Sequence, residues 1–172
     1  LVNILKSTFE TPKPYTIHLA VAPTKMNDRY EWFIEKATEI GVNKITPIIC
    51  QNSERKIIKT ERFEKILQSA MKQSLHSYLP TLAPATHFSE FKKTPQEGTT
   101  FIAHCDDGNK LKFNDQIKAG ESITILIGPE GDFSPQEIET ALKHGYIAVS
   151  LGASRLRTET AGIVAGHTIQ LC

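Results

Sequence analysis

"LIGPEGDFSPQEIETA", residues Leu126–Ala141, sets two glycines and a proline directly after an apolar run and then begins a helix with acids. The run Ser122–Ile127 suits a strand buried on both faces of a sheet. Ser134 then reads as an N-cap, Pro135 as the first helical residue, Glu137 as the partner in a capping box, and Gly145 as the stop. Strand, glycine-bearing loop and capped helix in direct succession form the unit from which parallel α/β sheets are assembled. At the loop itself, Gly128 lets main-chain N–H and C=O groups approach a ligand with no Cβ between them.

The same alternation extends in both directions. Tyr15–Ala22 predicts a strand, and Tyr30, Phe33, Ile34, Ala37 and Ile40 recur at helical spacing until Gly41. Lys44–Cys50 predicts the next strand. A long helix follows, its stripe running through Phe63, Ile66, Leu67, Ala70, Met71, Leu75 and Tyr78 until Pro80 ends it. Leu82–Gly98, with Pro84 and Pro95, reads as loop with at most a short strand and a turn of helix. Thr99–Cys105 is a strand, Asp106–Gly120 a polar connection, Tyr146–Leu151 a strand and Thr158–Leu171 the closing helix. The fold class is therefore α/β, a mostly parallel sheet flanked by helices, in one domain of 172 residues. Ala161, Gly162, Ala165 and Gly166 clear one face of the last helix, so another backbone is expected to approach it closely, or else the helix packs tightly within its own chain.

Composition narrows the function classes. No apolar stretch is long enough to span a membrane, and the chain opens on Leu1 with no leader, as a trimmed piece would. Cys50, Cys105 and Cys172 lie far apart without a C-x-x-C pair, which fits a cytoplasmic setting and no zinc. The six histidines show no metal spacing. A formal charge of +1 gives no global attraction to nucleic acid, so any such contact rests on a local patch, the best being Arg55–Lys72 with Arg55, Lys56, Lys59, Arg62, Lys65 and Lys72. Trp32 stands off the apolar stripe of its helix.

No G-x-G-x-x-G, P-loop, H-E-x-x-H or G-x-S-x-G pattern occurs. Two strand-end loops stand out instead: "IGPEGDFS" from Ile127 and "SLGASRLRTETAG" from Ser150. Open α/β sheets gather ligands at the carboxyl ends of their strands. Glycines without accompanying lysines favour an adenine-bearing ligand read by main chain, with no phosphate tail.

These two loops, preceded by "RYEWFIEKATEIGVNKITPI", resemble the small-subunit ribosomal RNA methyltransferase E family, within the SPOUT class of trefoil-knotted methyltransferases. The resemblance covers residues 15–172. It implies S-adenosylmethionine as donor and N3 of a uridine in 16S ribosomal RNA, within the small subunit, as acceptor. It also implies a C-terminal knot, a homodimer, and an RNA-binding domain ahead of the catalytic one, with residues 1–14 expected as the remnant of an upstream segment or of that N-terminal domain. Carried over residue by residue, the cofactor contacts fall on Ala103, His104, Ile127, Gly128, Leu151, Gly152 and Leu156. RNA contacts fall on Arg55, Lys56 and Arg155. The chain departs from the family where Gly131-Asp132 replaces Gly-Gly and where Ala153-Ser154-Arg155 replaces Pro-Arg. Asp tolerates left-handed geometry, so the first departure keeps the loop's shape.

Methylating N3 requires that uracil lose a proton and spread charge onto O2 and O4. A guanidinium can stabilise that charge, so Arg157 is the catalytic candidate, and Glu159 is the carboxylate to accept the proton or orient Arg157. Equally, an acid in the first helical turn complements the helix dipole. Glu130 is a second candidate base or a tie for its own loop. Two further readings stay open: a transfer RNA methyltransferase of the same class, and a non-catalytic RNA-binding or assembly factor that keeps the knot.

Overall fold

The computed structural model describes residues 3–106 and 108–172, so Leu1 and Val2 of the 1–14 segment and Asp107 of the polar connection lie outside it. Its elements in chain order are β1 (Ile17–Val21), α1 (Asn27–Ile40), β2 (Lys44–Ile49), α2 (Thr60–Gln73), β3 (Thr81–Leu82), β4 (Thr86–His87), α3 (Phe88–Phe91), β5 (Thr99–Ala103), β6 (Leu111–Lys112), a 3-10 turn (Phe113–Gln116), β7 (Ile123–Ile127), α4 (Pro135–Lys143), β8 (Ile147–Ser150) and α5 (Thr158–Gln170). The strands form one sheet in the order β3-β2-β1-β7-β5-β8-β6, with β4 also on β2, and every pairing among the described residues is parallel.

Two apolar layers sandwich this sheet. On one face Leu19, Val21, Ile45, Ile125, Phe101 and Val149 meet Tyr30, Phe33 and Ile34 of α1, Phe63 and Leu67 of α2, and Ala165 and Ile169 of α5. On the other, Ala20, Ile48, Ile102 and Leu126 meet Phe88 and Phe91 of α3, Phe133, and Ile138 and Ala141 of α4. The period-2 alternation of each strand supplies both faces, which is why the strands read as continuous apolar runs.

The capping box of α4 forms as its sequence predicts: Ser134 Oγ accepts from the Glu137 N–H at 3.3 Å, and Glu137 Oε2 accepts from the Ser134 N–H at 2.9 Å. Gly41 ends α1 at φ 88°. The expected extension of the second helix to Tyr78 is overturned. It stops at Gln73, because Leu75 turns left-handed (φ 58°) and the His76 and Leu75 N–H groups bond back to the Met71 and Lys72 carbonyls. Leu75 and Tyr78, which continued the stripe on paper, are exposed. The polar connection also hides structure: it carries β6 and the 3-10 turn, whose Phe113 is buried edge-on against Phe101 at 5.3 Å.

The small-residue face of α5 is filled from within the chain. A Cβ on Gly162 would lie 2.6 Å from the Phe33 ring, and one on Gly166 would lie 3.2 Å from Leu19. Side chains of α1 and β1, not a second backbone, occupy the space that the sequence clears. Near the edge of the sheet, β8 runs between β5 and β6, two strands that follow one another in the chain before it.

One polar cluster interrupts the second face. His18 on β1 is buried, with Nε2 2.7 Å from Thr46 Oγ1 on β2 and Nδ1 3.3 Å from Thr124 Oγ1 on β7. Burial, reinforced by the charge of Lys44, lowers its pKa from 6.5 to about 3. Between those values the unfolded chain carries a proton that the folded chain refuses, so stability falls as pH drops through the window. Urea titrations from about pH 7 to about pH 4 should show an acid limb whose slope approaches about 1.4 kcal/mol per pH unit from this group, and His18→Gln should remove that part of it.

Candidate functional site

The carboxyl ends of β5, β7 and β8 open into a cavity of about 560 Å³. The loop after β7 forms one wall, and its own shape is fixed by acceptors. Asp132 sits at φ 60° and takes the Phe133 N–H on Oδ1 at 2.8 Å and the Cys105 N–H on Oδ2 at 2.7 Å. Glu130 Oε1 takes the Lys25 N–H at 2.9 Å, so this carboxylate ties its loop to the β1–α1 connection. Glu137 Oε1 takes the Gln51 N–H at 2.9 Å, and the Asn52 amide donates to the Gly131 and Asp132 carbonyls. Thr158, at the start of α5, donates its hydroxyl to the Gly128 carbonyl at 2.9 Å. Neighbouring loops thus hand their main-chain donors to this one, which explains the acids and the lack of lysines in it.

Ala103, His104, Ile127, Gly128, Leu151, Gly152 and Leu156 all line this cavity, as do Arg155 and Arg157. Arg157 is exposed at the N-cap of α5. Val149 and Ala161 complete an apolar wall, while Lys110 reaches across to the His104 carbonyl at 3.0 Å and the Asp106 carbonyl at 2.8 Å. Apolar walls with main-chain groups between them suit a flat heteroaromatic body such as adenine, and the carboxylate of Glu130, with one oxygen engaged by the Lys25 N–H, lies in the same lining. His104 Nδ1 is buried without a hydrogen-bond partner among the described residues; burial first, then the charge of Lys110, push the imidazole below its ordinary pKa, favouring the neutral ring.

Three expectations change on this geometry. The absent Cβ of Gly128 serves its own loop, since a Cβ there would lie 3.0 Å from the Phe133 ring and 3.1 Å from the Phe133 nitrogen. Gly152 is different: φ is 141° and its Cβ direction is open, so backbone conformation alone demands the glycine. Glu159 is not in the cavity lining. It is buried on the α1 side of α5, with Oε1 3.4 Å from Arg29 Nη1, because helical spacing turns Glu159 and Gly162 toward α1 while Thr158 and Ala161 face the cavity. The RNA candidates also separate. Arg155 lines this cavity and Lys56 a second one, while Arg55 lines neither and folds back, its Nε 3.4 Å from the Ile57 carbonyl. Of the basic stretch, Arg62 is engaged by Glu31 at 2.7 Å, and Glu61 and Glu64 interrupt its exposed face.

Sequence reasoning missed Lys110, Asp132 as a bridging acceptor, and Thr158. No pattern marks Lys110, whereas Thr158 stands inside the quoted "RTETAG" tract and Asp132 inside "GPEGDFS". Among the described residues there is no cluster able to hold a metal ion and no helix long and apolar enough to cross a membrane.

A parallel sheet with ligand-sized space at the ends of β5, β7 and β8 is the arrangement of a nucleotide-type cofactor enzyme. The RNA methyltransferase domain model matches residues 11–170. The ribosomal RNA small subunit methyltransferase E of Buchnera aphidicola is 30% identical over 99% of this chain and 71% of its own length. The crystal structure of a probable rRNA-methyltransferase from Porphyromonas gingivalis superposes with a TM-score of 0.88 at 44% identity, covering 96% of this chain and 72% of that one. A ribosomal RNA small subunit methyltransferase E from Neisseria gonorrhoeae, solved bound to S-adenosyl methionine, gives 0.80 at 32% identity, covering 96% and 69%. The chain belongs to the RNA methyltransferase family, and within it to the small-subunit ribosomal RNA methyltransferase E group.

Because Asp132 combines a left-handed backbone with two accepted N–H bonds, Asp132→Ala should lower unfolding free energy by about 1–3 kcal/mol in urea titrations. Asp132→Asn keeps the tolerance for that backbone and should lose less.

Proposed function

We propose that residues 15–172 form a SPOUT methyltransferase domain that transfers a methyl group from S-adenosylmethionine to N3 of a uridine in 16S ribosomal RNA, in the cytoplasm and as a homodimer. The observation that carries this reading is the convergence of three strand-end loops, 103–105, 127–132 and 150–158, on one cavity walled by main chain and apolar side chains. Membership in the family and the donor bound by the Neisseria relative support it. The placement of β8 between β5 and β6, which follow one another in the chain, supports a knotted C-terminus, and the half-exposed Val164 of α5 supports a self-association surface. Three free cysteines fit a reducing compartment.

When bound, the donor supplies an already activated sulfonium methyl, so the protein's task is positioning and charge. Ile127, Leu151, Leu156 and Ala103 would enclose the adenosine, with the main chain at Gly128 and Gly152 reading its edge. Arg157, exposed at the mouth beside Arg155, would stabilise the negative charge on the uracil oxygens as N3 gives up its proton. Glu159 acts as a positioning residue: paired with Arg29, it fixes the first turn of α5 and hence the direction of Arg157.

Incubating small ribosomal subunits with the protein and methyl-labelled donor should yield labelled 3-methyluridine on nucleoside analysis. Label appearing only in transfer RNA, or not at all, would overturn the acceptor assignment. Arg157→Lys keeps the charge but loses the planar fork, so it should slow single-turnover methylation almost as much as Arg157→Ala, by roughly 100-fold. Calorimetric affinity for S-adenosylhomocysteine should hold in both variants.

A further inference from the structure

A second cleft of about 430 Å³ opens at the carboxyl ends of β2 and β4, on the far side of the loop that walls the first cavity. Its floor is apolar and closed, with Ile49, Cys50 and Phe88 each at most 5% exposed. Its rim carries Lys56 and Lys92, neither of which forms an ion pair among the described residues. The single carboxylate in the lining, Glu137, has both oxygens occupied by main-chain N–H groups, from Gln51 and Ser134. Two ammonium groups unpaired among the described residues therefore face a cleft whose one acid is already engaged, and the side chains of Gln51 and Gln136 line the same cleft.

We propose that this cleft docks a nucleotide of single-stranded RNA flanking the acceptor uridine, its phosphate drawn to Lys56 and Lys92 and its base edge met by Gln51 and Gln136. The inference rests on the RNA methyltransferase reading and deepens it by naming where the strand runs beyond the reaction centre. Both openings lie at the same end of the sheet. From β2 to β5 is three strand steps of about 4.8 Å, or roughly 14 Å, a span that a single strand covers without bending back. The stretch 128–137 lines the first cavity with its loop and the second with the first turn of α4, and it is held to three neighbouring connections by hydrogen bonds, so it forms a fixed saddle between the two sites. Phosphate contacts of this kind position a strand without reading its sequence.

The test uses the full chain, fluorescein-labelled oligouridylate and a salt series. Lys56→Ala/Lys92→Ala should weaken binding about three- to tenfold and make the plot of log affinity against log salt shallower by about 0.7, the contribution of the one phosphate that is no longer neutralised. Calorimetric affinity for S-adenosylhomocysteine should stay at the wild-type value. Lys36→Ala/Lys118→Ala, which removes the same charge elsewhere, should leave the slope unchanged. Equal affinity and slope in all three proteins overturns the docking site, as does a parallel loss of S-adenosylhomocysteine affinity in the Lys56/Lys92 variant, which would make these lysines part of the loop's scaffold. Failure of the wild-type protein to bind oligouridylate overturns the site as well, while its failure to bind S-adenosylhomocysteine strikes the methyltransferase reading instead.

Discussion

Main-chain N–H groups at the ends of parallel strands have no ladder partner, and in this protein the loop 128–137 supplies acceptors for them. Glu130 serves the loop after β1, Glu137 the loop after β2, and Asp132 the connection after β5. Hydrogen bonds to a carboxylate are stronger than those between neutral groups, and each of these spans at least 27 residues of chain. One short loop therefore sets the relative height of three strand ends. Both clefts depend on this stretch, because its loop lines the first cavity and the first turn of α4 that continues it lines the second. Polar satisfaction, more than apolar packing, holds the working end of the molecule together.

The opposite economy governs α5. Its first turn does three jobs on adjacent residues: Arg157 faces the cavity mouth, Thr158 anchors to the Gly128 carbonyl, and Glu159 is buried against Arg29. The helix can lie this close only because Gly162 and Gly166 leave room for Phe33 and Leu19. The small residues and the polar first turn are thus parts of one fit, the first setting the depth of the helix and the second its rotation. An added methyl at Gly162 would be felt at Arg157, one and a half turns away.

Much of this was readable in advance. The central strands announce themselves because residues on both faces are buried, Leu19 and Ile125 on one and Ala20 and Leu126 on the other, and the start of α4 because a capping box is a local device. The cavity-lining residues were legible for a different cause, as two contiguous loop motifs carry most of them. What escaped depends on contacts between distant segments. The end of α2 is a left-handed Leu75 where glycine would have given a signal. Phe113 looked isolated because its partner, Phe101, lies in another strand. Glu159 has the chemistry of a base, and only the position of Arg29, 130 residues away in sequence, reveals where its carboxylate goes. That Gly128 also makes room for the Phe133 ring was hidden because the sequence does not show that ring folding back over it.

The insertion of β7 beside β1 has a consequence for how the protein is made. His18 and Thr124, neighbours across that ladder, are 106 residues apart in the chain. At a synthesis rate of about 5–20 residues per second, β1 leaves the ribosome roughly 5–20 s before its second neighbour exists. During that interval Leu19 and Val21 have β2 and α1 beside them but neither β7 nor α5, so one strand edge and part of one apolar face stay open. Nascent chains halted in that interval should be the ones most dependent on chaperones, and completion of the sheet waits for the last third of the polypeptide.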